Sequence, residues 1–411
     1  MLLNNLSLGT QRVVDSTAPA HVLAKNGLYR VGEDLFNYKI NALKAATLTK
    51  QPVVWEFGNQ AWNTLDWKKD DGKSVLHWYK QRAQQLRDQY DYLILAFSGG
   101  ADSNNIANVF MASDLKIDEV WCDWPLKHTN DYNCNNQDRS ASNMPSEWKF
   151  SIKPQLEQMQ SKTDWKITIT DSTASMTDED SEDTLMITQY SYYATVKRWR
   201  VLDDLVRDAS TKHKKVGVII GIEKPNFMLV NGVLCSFFSD ATIQYKSDYN
   251  EHIQRDVEFF YWSPDMPELH RAQCQTFVKF LQNNPHHIAN CVSSRITSNL
   301  TVELANTQPL NELSKEYRLM LNDCIYPFWN QNIFQVDKPK NKLYHNEFYD
   351  WMKLQFGNHR ALDSHRFNLN NTLQSVSREF LSFDDDDNKT ILNYASFSSK
   401  FYPITKINFG T

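Results

Sequence analysis

The chain has 411 residues, with 44 Lys or Arg against 49 Asp or Glu and a formal net charge of −5. That balance gives no global basic field for nucleic acid, although a local basic groove stays open. Only 12 residues are glycine, while Trp, Tyr and Phe number 12, 18 and 22, which excludes collagen-like, glycine-linker and wholly disordered chains.

At roughly 100–200 residues per domain, the length suggests two or three domains. Residues 1–88 read as a mixed N-terminal region. Within it, 53–57 is a candidate short strand, and 74 to about 90 is a candidate helix with Ser74 as N-cap. Asp91-Tyr92-Leu93-Ile94-Leu95-Ala96-Phe97 is a nearly continuous apolar run, as in a strand buried on both faces. Ser98-Gly99-Gly100 ends it, and 103–113 reads as a helix with Ile106, Ala107, Val109 and Phe110 on its apolar face. A second strand covers 119–122 and ends at Asp123. An insertion rich in turn residues fills about 124–150. A helix over 154–162, a third strand over 165–170 and a long helix over 186–209 follow. A fourth strand covers 216–221 and a fifth 257–262, before a helix over 267–281 with Pro267 near its first turn. Strands alternating with helices predict an α/β fold with a doubly wound, mostly parallel five-stranded sheet. From about 285 the alternation stops. Helical stretches at 311–321, 346–356 and 372–380 predict a mostly helical C-terminal region. The expected division is 1–88, 89–285 and 286–411.

The one Gly-Gly pair stands in Ser98-Gly99-Gly100-Ala101-Asp102-Ser103, between the first buried strand and the next helix. Two glycines let the backbone turn tightly and approach a ligand without Cβ clashes. Ser98 and Ser103 offer hydroxyls, and the N–H groups and dipole of the helix N-terminus favour an anion. Asp102 would repel a bare phosphate, so its presence points to a bridging cation, Mg2+ above all. Ligands of open α/β sheets bind beyond the carboxyl ends of the strands, where this loop lies. A tight turn that merely caps its helix is the plainer alternative. Gly72-Lys73-Ser74 imitates the end of a Walker loop, but Trp67 stands where that motif needs glycine. It reads as a turn and helix cap.

The hexapeptide resembles the Ser-Gly-Gly-x-Asp-Ser signature of the PP-loop ATP pyrophosphatases, the adenine nucleotide alpha hydrolase-like superfamily. All specified positions match, and the resemblance covers roughly residues 88–285. It implies a HUP/Rossmann-like fold and cleavage of ATP between its α and β phosphates with Mg2+. Ser98, Gly99, Gly100 and Ser103 would hold pyrophosphate, with Asp102 near the metal. AMP would pass to a substrate oxygen, and a nucleophile would then displace it. Several members place a basic residue on the helix before the fourth strand, where Lys197, Arg198 and Arg200 stand here. Helical geometry puts 197 and 200 on a similar face, so these two join Ser98 and Asp102 as catalytic candidates. A solvated basic face is the alternative. Gly221-Ile222-Glu223-Lys224-Pro225 loosely resembles a segment of the reductase branch, with Lys224 in place of an Arg-rich stretch. Gly221 would give room for the adenylate, and Glu223 or Lys224 would face the substrate; a strand end stopped by proline is the alternative. Asp123 either meets ribose or adenine or is an ordinary aspartate at a strand end.

Departures from known branches narrow the reading. Leu2 stands where a glutaminase half carries its nucleophilic cysteine, and Cys274, Cys291 and Cys324 are too dispersed for a zinc cluster. His286, His287 and Cys291 lack a fourth ligand for a metal. No Cys-x-x-Cys pair, basic leader or membrane-length apolar run stands out, so reduced cysteines and a cytoplasmic, non-membrane protein are expected. The expected function is ATP-dependent adenylation of a small molecule or modified nucleotide, of the AMP-forming ligase or transferase type. Sulfur transfer or tRNA or nucleotide modification, and a non-catalytic nucleotide sensor, are the alternatives. The substrate and the oligomeric state are not written in these motifs.

Overall fold

A computed structural model describes residues 12–15, 27–37, 39–124, 147–171, 194–222, 224–230, 233–238, 256–284, 287, 315–329 and 399–406. The N-terminal part runs β1 (Leu28–Val31), β2 (Asp34–Phe36), α1 (Lys39–Thr49), β3 (Val53–Glu56), α2 (Asn59–Thr64) and α3 (Val75–Gln89). Then come β4 (Tyr92–Ala96), α4 (Ala101–Ala112), β5 (Glu119–Asp123), a π-helical turn (Trp148–Ile152) leading into α5 (Lys153–Lys162), and β6 (Lys166–Thr170). They are followed by α6 (Ala194–Ser210), β7 (Val216–Ile220), β8 (Asn226–Val230), β9 (Val233–Phe237), β10 (Asp256–Phe259) and α7 (Pro267–Asn283). The last described elements are α8 (Lys315–Ile325) and β11 (Tyr402–Lys406).

The apolar runs form a five-stranded sheet in the order β10-β7-β4-β5-β6, parallel throughout. This is the α/β architecture with a five-stranded parallel sheet that the alternation predicts, and it is Rossmann-like. β4, β5 and β7 lie inside it and are almost wholly buried, which is why β4 and β7 are apolar throughout and β5 is apolar between Glu119 and Asp123. Edge strand β6 is half exposed and alternates Lys, Ile, Thr, Ile, Thr. The chain moves outward from β4 to β6, then returns to β7 on the other side of β4. The winding direction therefore reverses between β4 and β7, and such a switch point opens a crevice at the strand ends. The loop after β4 emerges there.

The helix before β4 begins as expected. Ser74 Oγ accepts the His77 N–H at 3.2 Å, while Asp70 and Asp71 accept the N–H groups of Gly72 and Lys73. The Walker-like tripeptide is thus a turn and a cap. On α3, Arg82 is fully buried, and it pairs with Glu258 of β10 at 2.8 Å. Tyr90 donates to the other oxygen of Glu258 at 2.6 Å, and Gln89 joins at 3.2 Å. Two buried charges are tolerable only because each has several partners.

The fifth strand ends at Phe259 rather than at residue 262, since Tyr261 and Trp262 turn inward as a packed aromatic corner. Two further sheets were not expected. β2-β1-β3 is an antiparallel sheet before the main one, and it includes the expected strand at 53–57. β8 and β9 pair antiparallel with Val230 opposite Val233, and Asn231-Gly232 lies between them in sequence. That dipeptide between apolar runs is a hairpin signal, overshadowed by the strand–helix alternation around it.

The C-terminal expectation needs correction. α8 overlaps the predicted helix at 311–321, while 346–356 and 372–380 lie outside the described residues. Residues 402–406, however, are a strand, pairing antiparallel with β9. Tyr402 and Ile404 are buried and Pro403 is exposed, a period of two too short to stand out. Pro403 is tolerated because β11 is an edge strand. Among the described residues no helix is long and apolar enough to cross a membrane.

Against this third sheet, His270 of α7 is fully buried among Trp62, Trp67, Phe238 and Trp262. Its Nε2 lies 2.9 Å from Ser236 Oγ. Burial pushes its pKa down from 6.5 to about 3, so the folded ring is neutral.

Two outcomes follow from the packing. Arg82→Met leaves the Glu258 carboxylate buried without its cation, and urea unfolding should show a loss of about 3–5 kcal/mol. For His270, the unfolded chain takes up a proton below pH 6.5 that the folded chain refuses until about pH 3. Its contribution to stability is therefore present above pH 6.5 and lost as pH falls through that window. The stability difference between wild type and His270→Gln, measured by denaturation from pH 7 to 3.5, should shift toward the variant as pH falls.

Candidate phosphate-loop site

Gly99 adopts φ +72°, a left-handed backbone that other residues enter with strain. A Cβ there would lie 2.2 Å from Ile152 Cγ1, because the π-helical turn packs directly on the loop. Ser151 Oγ donates to the Gly99 carbonyl at 2.7 Å, and Gln155 Nε2 does so at 3.3 Å. Trp148, from the same turn, stacks on buried Trp124 at the end of β5, with ring centroids 5.8 Å apart. The loop is thus held from outside by the segment before α5.

Inside the loop, the Ser98 N–H donates to Ser103 Oγ at 3.2 Å, and the Gly100 N–H to Ser98 Oγ at 3.4 Å. Ser103 Oγ donates to the Gly100 carbonyl at 3.3 Å. The two serines of the motif brace the turn. Gly100 is the N-cap of α4, and no side chain caps the helix. First-turn N–H groups of a helix have no intrahelical acceptor, and this turn follows the strand beside which the sheet order reverses.

Asp102 is the centre of a polar network. Lys224 Nζ lies 2.8 and 3.1 Å from its two carboxylate oxygens. Tyr326, just after α8, donates its hydroxyl to Oδ1, and Tyr261 donates to the Asp102 carbonyl at 2.8 Å. Asn105 Nδ2 donates to the Tyr261 hydroxyl at 3.0 Å. Tyr79 of α3 completes the group. Its hydroxyl donates to the Ile325 carbonyl at 2.9 Å, and its ring meets Tyr261 edge-on at 5.6 Å. Burial pushes the pKa values of Tyr79, Tyr261 and Tyr326 well above the usual 10, and the nearby Asp102 charge adds to this. The phenols stay protonated donors.

The other candidates are placed as follows. Gly221 follows β7, and a Cβ there would lie 3.2 Å from both Asp102 Cβ and the Ser103 backbone nitrogen. The space it leaves is taken by the first turn of α4. Gly217 likewise makes room for the Tyr90 ring, whose atoms come within 2.7 Å of a built Cβ. Asp123 is buried at the end of β5 and accepts the Thr170 hydroxyl at 2.8 Å. Lys197 and Arg200 are on α6, but their side chains lie outside the described residues, as does Glu223. The structure therefore brings Ser98, Gly99, Gly100, Asp102, Ser103, Gly221 and Lys224 together at one crevice, with Asp123 one strand away.

His287 stacks on Phe280 at 5.5 Å, while His286 and Cys291 lie outside the described residues. Among the described residues no cluster of three or more His, Cys, Asp or Glu is placed to hold a metal ion. Burial raises the thiol pKa values of Cys235 to about 11 and of Cys274 and Cys324 to about 12, so these thiols are poor nucleophiles at neutral pH. Sequence reasoning missed Tyr79, Ser151, Gln155 and Tyr326. Each joins the site through contacts between distant segments. No protein-family model matches the chain, and no curated protein matches it.

The close packing at Gly221 predicts that Gly221→Ala forces β7 and α4 apart. Thermal unfolding should report a loss of about 1–3 kcal/mol, the usual range for overpacking.

Proposed function

We propose that this chain is a PP-loop ATP pyrophosphatase with a HUP-like sheet, which adenylates a substrate oxygen and releases pyrophosphate. The observation that carries this reading is the position of Ser98-Gly99-Gly100-Ala101-Asp102-Ser103. It joins the central strand β4 to the uncapped N-terminus of α4, where the sheet order reverses. In this reading the substrate oxygen attacks the α phosphorus, the bond to the β-phosphate oxygen breaks, and pyrophosphate leaves toward the loop. A nucleophile then displaces AMP from the activated substrate.

The chain's own contribution is positioning and charge. First-turn N–H groups of α4 and the hydroxyls of Ser98 and Ser103 would bind the departing phosphates. Lys224, already 2.8 Å from Asp102, is within reach of the same anion. The donor set also suits Mg2+, which is usually bound by one or two carboxylates together with substrate phosphates. Asp102 would supply the carboxylate by exchanging Lys224 for the ion, which would neutralise charge on the leaving pyrophosphate. Asp123 would meet the ribose or base, and Lys197, Arg200 and Glu223 would act from segments flanking β7. The raised thiol pKa values at 235, 274 and 324 weigh against sulfur chemistry at those cysteines.

Full-length protein incubated with ATP, Mg2+ and a metabolite pool should release pyrophosphate and AMP. Asp102→Asn, which keeps the shape of the side chain, should lower that release by on the order of a hundredfold. ADP and phosphate as the only products would overturn α–β cleavage. ATP binding with no pyrophosphate from any pool would favour a sensor.

A further inference from the structure

We propose that Tyr326 is a positioning residue through which the segment at α8 clamps the phosphate loop and responds to its occupancy. The inference rests on the reading of the loop as a nucleotide site. Three observations carry it. First, Tyr326 lies 224 positions from Asp102 in sequence, yet its hydroxyl donates directly to the Asp102 carboxylate. Second, the contact is built from several sides. The Tyr326 ring packs 5.5 Å from Tyr261 and 6.4 Å from Tyr79, and Lys224 Nζ lies 5.7 Å from its centroid. Third, the backbone is tied down beside it. Tyr79 donates to the Ile325 carbonyl at 2.9 Å, and the Tyr326 N–H closes onto the Asn322 carbonyl at 2.9 Å. Ile325 and Tyr326 are buried, so the segment cannot leave without opening the aromatic cluster.

The consequence is a shared carboxylate. Asp102 lies in the first turn of α4, so its carboxylate is held beside the N–H groups of the turn that would receive a phosphate. A phosphate bound at that turn competes with Asp102 for Lys224, and the Tyr326 hydroxyl then holds Oδ1 while Oδ2 is left to face Mg2+. Filling the loop should therefore tighten the 315–329 segment. Tyr326→Phe removes one hydroxyl and keeps the ring packing.

The test is hydrogen exchange and equilibrium ATP binding on full-length wild type, Tyr326→Phe and the control Tyr79→Phe. Without nucleotide, Tyr326→Phe should exchange faster than wild type over residues 98–104. With ATP and Mg2+, wild type should gain protection at both 98–112 and 315–329, while Tyr326→Phe keeps only the first gain. Its ATP affinity should fall by about tenfold or more, as expected for one lost hydrogen bond to a charged group. Tyr79→Phe, which frees the Ile325 carbonyl but keeps the Tyr326–Asp102 bond, should weaken the coupled response only in part, even if it lowers the melting temperature. Unchanged exchange at 98–104 together with unchanged ATP affinity in Tyr326→Phe would overturn the clamp and leave the nucleotide site standing. Equal loss of the coupled response in both variants would reduce Tyr326 to packing and overturn it as well. Wild type that binds no ATP would overturn the nucleotide reading and this inference with it.

Discussion

The end of β7 and the first turn of α4 meet with only glycine between them. At Gly221, backbone and Cβ atoms of Asp102 and Ser103 already lie 3.2–3.3 Å from where a side chain would begin. That approach sets the rest of the crevice. It places Lys224, three residues on, against the Asp102 carboxylate. It also brings the exit of β10 alongside, since the Tyr261 N–H reaches the Ile222 carbonyl at 3.3 Å. The Tyr261 hydroxyl then lands on the Asp102 carbonyl. A larger residue at 221 would separate these groups together, because close-packed elements move as units.

α3 ties this crevice to the centre of the fold. Tyr79 and Arg82 stand three residues apart, on one face of the helix. Tyr79 reaches the Ile325 carbonyl beside the site, while Arg82 reaches Glu258 of β10. Both contacts are buried and polar, so both demand specific partners. A helix that belongs by sequence to the N-terminal region thereby ties β10 and the end of α8 to one core. The aromatic richness of the chain has a related use. Phenols bring apolar area for packing and one donor each, and burial keeps those donors protonated.

Much of the sheet was legible because its signals are local. The run at 92–97 is apolar because β4 is covered on both faces, and Ser74 marks the start of α3 by capping it. Strand ends shifted by a residue or more where tertiary contacts intervened, as at Phe259, where the chain turns to bury Tyr261 and Trp262. The strand at 402–406 was missed because five residues with one proline carry little periodicity. It exists because β9 offers a free edge. Of the site, the loop motif was visible and its supports were not. Nothing near Gly99 announces that Ile152 fills the space beside it. Gly221 suggested room for the adenylate, but its neighbour is the first turn of α4.

By itself the sequence determined the alternation of strands and helices, the turn after β4 and the chemistry gathered in that turn. These depend on backbone freedom, hydrogen-bonding groups and apolar periods within a few residues of one another. Only the tertiary structure decided the order β10-β7-β4-β5-β6 and the partners of Asp102. Those partners come from residues 224, 261 and 326, and which of many tyrosines and lysines reaches one carboxylate depends on how whole elements pack. A local pattern carries no record of that packing, because contacts between distant segments are chosen by the fold as a unit.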